Sequence, residues 1–129
     1  MNKLDKESVI GISALLVHAS KIDEIYSEHE KDLVKDFIKS YLKDDDESEI
    51  LKKAEEIEKN SNQLLNYTNI IKKNSMNIKK DIIEHLWKVI ISDNTIDQYE
   101  SNLVRRICGL IYFPDKESAE IKLKLINSK

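Results

Sequence analysis

A chain of 129 residues with only two glycines and one proline has almost no means of punctuating strands. Sandwiches and barrels need many tight turns, and those turns draw on residues that accept positive φ or have φ preset by a ring. Helices are therefore expected throughout. The apolar fraction of 40% supplies enough Ile, Leu and Val to offset the ordering entropy despite a charged fraction of 35%, and the length suits one domain with a real core.

Composition also narrows the partners. The formal net charge is −3, and the short Lys pairs at 72–73 and 79–80 lack interleaved aromatics, so nucleic acid is not an expected partner. A single cysteine, Cys108, excludes an intramolecular disulfide and a thiolate metal site; among Ile107, Leu110 and Ile111 it reads as a small buried apolar residue. The start "MNKLDKESVIGISALL" lacks the pattern of a signal peptide, and no run is long enough to span a bilayer, so a soluble cytoplasmic protein is expected.

Apolar spacing divides the chain into seven segments. Val9, Ile12, Leu16 and Ala19 mark a first helix between Leu4 and Ile22, started by Asp5 or Ser8. Ser27 caps a second, striped by Leu33, Val34, Phe37, Ile38, Tyr41 and Leu42, which ends at "KDDDES". A third begins near Asp46, with Ile50, Leu51, Ala54 and Ile57. Asn and Ser weaken the next stretch, yet Leu64, Leu65, Tyr67, Ile70 and Ile71 fit a short helix capped by Ser61. After a break at Asn74 and Ser75, Ile78, Ile82, Leu86, Val89 and Ile90 form the strongest stripe, expected at the centre of the core with Trp87 as an anchor. A sixth helix runs from about Gln98 to Ile111, before Pro114. The seventh is capped by Asp115, with Ile121, Leu125 and Ile126 inward. The fold class expected is all-α: a compact bundle of about seven short helices in one domain, 1–129.

Two of the connecting turns match at an offset of 70 residues. "KIDEIYSEHEKDLVKDFI" and "SDNTIDQYESNLVRRI" align Leu16 with Leu86, Asp23 with Asp93, Glu30 with Glu100, Leu33 with Leu103 and Val34 with Val104. The register continues to Asp45 with Asp115 and Ser48 with Ser118, which implies two copies of a helix-turn-helix unit, about 9–50 and 79–126.

These turns resemble the TerB-like family, the helical domain of tellurite-resistance proteins that also occurs at the N-terminus of certain membrane-bound DnaJ-type co-chaperones. The family's pattern is an apolar helix ending in Ala-Asp-Gly, an Ile or Val two residues on and a Glu four residues beyond that. The resemblance covers residues 9 to 126 in outline and places the motif Asp on Asp23 and Asp93 and the motif Glu on Glu30 and Glu100. The motif Gly is replaced by Glu24 in one turn and Asn94 in the other. Asn tolerates the left-handed conformation, whereas Glu does so poorly.

The acids have two readings. Ser27-x-x-Glu30 and Asp97-x-x-Glu100 have capping-box spacing, which accounts for both Glu residues by helix capping. Asp23 and Asp93 stand at helix C-termini, where a negative charge is unfavourable, so a turn onto following amides, a neighbouring helix N-terminus or a cation is needed to compensate. In the sharper reading Asp23, Glu30, Asp93, Asp97 and Glu100, helped by Glu28, offer oxygen ligands to Ca²⁺ or Mg²⁺. The EF-hand pattern is absent, and His18, His29 and His85 form no ligand set. His18 and His85 read as partly buried helix residues.

No nucleophile motif or phosphate-binding glycine loop occurs, so an enzyme is not expected. The resemblance implies a non-enzymatic interaction or scaffolding module in a tellurite-type stress response. Its acidic turns would meet protein partners, including membrane-associated ones. A divalent-cation sensor is the alternative.

Overall fold

The computed structural model describes residues 4–21, 27–60, 64–91 and 98–127, with the side chains of 64–66 and 98–100 excepted. The described residues form seven helices and no strand: α1 (Lys6–Ser20), α2 (Glu28–Tyr41), α3 (Glu47–Asn60), α4 (Leu64–Lys72), α5 (Met76–Ile91), α6 (Gln98–Ile111) and α7 (Asp115–Asn127).

Short polar side chains start most of these helices by accepting from orphan amides of the first turn. Asp5 Oδ1 accepts from the Ser8 N–H at 2.7 Å, and this bond holds the Asp5 carboxyl below its usual range. Asp46 Oδ1 accepts from Ser48 and Ser75 Oγ from Ile78. The expected cap of α7 is corrected: Asp115 is already helical, and the first carbonyl used is that of Pro114, which accepts from the Ser118 N–H at 3.2 Å. Proline suits that position because no amide of its own is required there. Asp115 still meets the positive end of the helix dipole.

The close of α6 is also specific. Tyr112 adopts φ 60°, and the Phe113 N–H reaches back to the Cys108 carbonyl at 2.9 Å. That is the Schellman arrangement, in which a left-handed residue ends the helix and its successor tucks inward. Phe113 is buried and Tyr112 exposed. The chain then reverses into α7.

At the centre of the bundle α1 packs against α2, α3, α4 and α5, while α5 packs against α1, α2, α6 and α7. Each thus gathers the two helices that follow its own turn, α2 and α3 for α1 and α6 and α7 for α5. The remaining helix, α4, sits on α1 and α6. It accounts for a difference between the two central helices. At the 70-residue offset, Ile10, Gly11 and Ala14 on α1 correspond to Lys80, Asp81 and Glu84 on α5. Gly11 and Ala14 are buried and Ile10 packs on the core, whereas Asp81 and Glu84 are half-exposed and Lys80 is exposed. Where α3 and α4 flank the helix the chain uses apolar and small residues; at the corresponding positions of α5, where Asp81 meets Tyr41 of α2 and Lys80 is exposed, it uses polar ones.

Gly11 makes room within that cover. A Cβ built there would lie 2.5 Å from Ile70 Cδ1, so the Ile70 side-chain tip fills the space that a side chain at this position would take. The expectation that Ile126 faces inward is corrected: it is 39% exposed, and α7 turns Ser118 and Ile121 to the core instead. Ser118 accepts from Trp87 Nε1 at 3.0 Å, so the Trp anchor has its one donor satisfied within the core.

Among the described residues one buried side-chain polar atom has no hydrogen-bond partner, Ser13 Oγ in the middle of α1. An unmet buried hydroxyl is destabilising, and removing it leaves the Cβ packing intact. Ser13→Ala is expected to stabilise the fold by on the order of 1 kcal/mol, read as a raised midpoint in chemical denaturation; an unchanged or lowered midpoint would show the hydroxyl to be satisfied.

Cys108 is buried, and burial pushes its thiol up to about 11 from an ordinary 9.0, with the nearby Asp115 charge adding to the effect against a Ser118 contact. The fold thus favours the neutral thiol, while the unfolded chain ionises it more readily. Its stabilising contribution is complete below pH 9.0 and is lost as the pH climbs towards about 11. Cys108→Ala should flatten the alkaline limb of the stability–pH profile across that window, measured by denaturation at a series of pH values.

Candidate functional site

The acids singled out by sequence meet different fates. Asp23, Asp93 and Asp97 lie outside the described residues, as does the side chain of Glu100. Glu30 and the frame of the first turn are described in full.

That frame is built from three helix ends. At the start of α2, Ser27 Oγ accepts from the Glu30 N–H at 3.1 Å and Glu30 Oε1 accepts from the Ser27 N–H at 2.8 Å, a complete capping box. Glu30 is only 5% exposed. The reading of Glu30 as a helix cap therefore has its geometry. Its neighbours point outward: Glu28 and His29 are exposed, and Glu28 Oε1 lies 3.4 Å from Lys31 Nζ.

At the end of α1 a second acid is buried, one that sequence reasoning missed. Glu58, near the end of α3, takes Lys21 Nζ at 2.8 Å on Oε1 and approaches His18 Nδ1 at 3.3 Å on Oε2. Its side chain is 11% exposed. At the other end of the same pair of helices Lys6 lies 3.4 Å from Asp45, so α1 and α3 run side by side in the same sense. A cation near the C-terminus of α1 is favoured by its dipole, and Glu58 holds Lys21 there, with the His18 ring beside it. The signal was available: Glu58 follows Leu51 by seven and Ala54 by four, on the buried stripe of α3, where an acid must find partners.

Lys21, Lys31, Lys52 and Lys59, with Glu55 and Glu56, line a cleft of about 540 Å³. The surface beside the first turn is thus mixed in charge, with four lysines against two acids.

A further polar cluster joins α2 to α5. The Tyr41 hydroxyl donates to Asp81 Oδ2 at 2.6 Å, and His85 Nδ1 donates to the Asp81 carbonyl at 2.9 Å. Burial, then the Asp81 bond and charge, push the Tyr41 phenol far above its ordinary value. His85 also meets the Phe37 ring edge-on at 5.1 Å. Both His18 and His85 are half-buried helix residues, as expected. Among the described residues no group of three or more His, Cys, Asp or Glu side chains is placed to hold a metal ion.

With seven helices, an apolar central pair and a capping box on the motif Glu, the class is that of an all-α TerB-like domain. A family model described as "Tellurite resistance protein TerB" matches residues 10–123, and the chain belongs to that family. No curated protein and no solved structure matches it.

The capping box gives a direct test of the frame. Glu30→Ala strips the Ser27 amide of its partner and is expected to cost about 1 kcal/mol, whereas Glu30→Gln, which retains an acceptor oxygen, should recover most of it. Chemical denaturation checks both; equal loss in the two variants would mean that the charge, rather than the hydrogen bond, is what Glu30 contributes.

Proposed function

We propose that this chain is a non-enzymatic interaction or scaffolding module of a tellurite-resistance type stress response, which engages protein partners through the surface around its two Asp-x6-Glu turns. Family membership supports the setting. The observation that carries the role is the framing of the first turn: the Ser27–Glu30 box fixes one side and the Lys21–Glu58–His18 cluster the other. Flanks that are already ordered lower the ordering cost when a partner binds beside them. The lysines and acids beside it suit a partner surface of mixed charge, including one at a membrane-associated protein. No helix among the described residues is long and apolar enough to cross a membrane, so such contact would come by recruitment rather than by insertion of these helices.

Purification of the tagged chain from tellurite-challenged cells, alongside an Asp23→Asn, Asp93→Asn double variant, tests the reading. Discrete co-purifying proteins are expected with the first and not with the second, at unchanged far-UV circular dichroism. The same partners on both would remove the turns from the mechanism. Titration with Ca²⁺ and Mg²⁺ separates the scaffold from a cation sensor: a scaffold shows no thermal shift at millimolar ion, whereas a sensor shows one that Asp93→Asn abolishes.

A further inference from the structure

A second surface lies apart from the turns. Among the described residues α3 and α4 both pack on α1 but scarcely on each other, so they splay and leave a groove of about 810 Å³ with α1 as its floor. Ile10, Gly11, Ile57, Tyr67 and Ile70 form its apolar lining. Ile57 is the anchor of this lining: an Ile on a helix otherwise charged on its outer side, left 41% exposed. Isolated exposed apolar residues are ordinary, but one set at the lip of an apolar groove is the pattern of a helix-docking cleft.

The rim decides what fits. Asp5, Glu7 and Glu56 stand there against one cation, Lys53. Three acids and one lysine leave an excess of negative charge around an apolar floor, which repels anionic amphiphiles and favours cations flanking an apolar stripe. We propose that this groove docks a basic amphipathic helix of a partner protein, with aliphatic side chains seated between Ile10, Ile57 and Ile70 and Lys or Arg residues paired with Glu7 and Glu56. Gly11 and Ile70 meet on that floor, the Ile70 tip filling the space a Cβ at position 11 would take. The inference is independent of the turn acids.

The test uses the full chain and two synthetic probes, a Leu/Lys amphipathic helical peptide and its Leu/Glu counterpart, with binding followed by fluorescence anisotropy and by amide shifts in NMR. Saturable binding of the Leu/Lys peptide is expected, weakened by added salt, with shifts centred on Gly11, Lys53 and Ile70. Ile57→Glu should weaken it by about tenfold or more, as loss of an anchor does. That variant adds negative charge, so non-specific attraction of the cationic peptide would rise rather than fall. A Glu7→Gln, Glu56→Gln variant, substituted only at exposed positions, should bind several-fold more weakly. Equal binding by Ile57→Glu, equal binding of the Leu/Glu peptide, or shifts centred away from the groove would overturn the proposal. So would concentration-dependent self-association that Ile57→Glu abolishes, since the occupant would then be a second copy of the chain.

Discussion

The deep burial of α1 is the constraint from which the rest of the structure follows. Ten of its fifteen residues are buried, and its only polar side chains at full depth are the small hydroxyls of Ser13 and Ser20. A helix with so little solvated surface needs walls on most sides, and α2, α3, α4 and α5 supply them. The repeat alone would give it fewer: α5, at the corresponding position, keeps a polar edge of Lys80, Asp81 and Glu84. The helix with no counterpart, α4, makes the difference, and the tip of its Ile70 settles in the space left by Gly11. The groove beside it follows from the same arrangement, because two helices laid on a third need not close against each other.

Charge is handled at the edges of this core by pairing. Glu30 is buried against backbone amides and Glu58 against Lys21 and His18, so each acid withdrawn from water meets donors. The Lys21 side chain is 40% exposed, which screens its attraction; the value of the cluster lies more in fixing the ends of α1 and α3 relative to each other than in raw Coulomb energy. Tyr41 and Asp81 do the same between α2 and α5.

Helix type and order were legible in the chain because apolar spacing and cap residues agree locally. Gln98–Ile111 and the break at Asn74 and Ser75 follow from those signals alone. What was not legible depends on partners remote in sequence. Glu58 was passed over because Lys21 and His18 lie 37 and 40 residues away, and Ser118 because Trp87 lies 31 away. Asp115 looked like a cap since acids commonly are; the proline before it took the role through its carbonyl. Ile126 fits an inward stripe by spacing, yet the face of α7 that meets the core is the one carrying Ser118 and Ile121, where Ser118 takes the Trp87 donor. The acids that define the family motif were found by pattern; of these, Glu30 is the one whose surroundings the described residues display.

The reliance of α1 on α5 has a consequence for how the protein is made. Synthesis delivers α1 first, and the wall it needs from Met76–Ile91 is translated some seventy residues later. At typical rates of about 5–20 residues per second, the most apolar helix of the chain waits several seconds or more for its cover. During that interval α2 and α3 can shield part of it, but the face that ends against α5 stays open. The stretch from α1 to α4 is thus at its most adhesive before α5 emerges, and it is the stretch that a chaperone would meet.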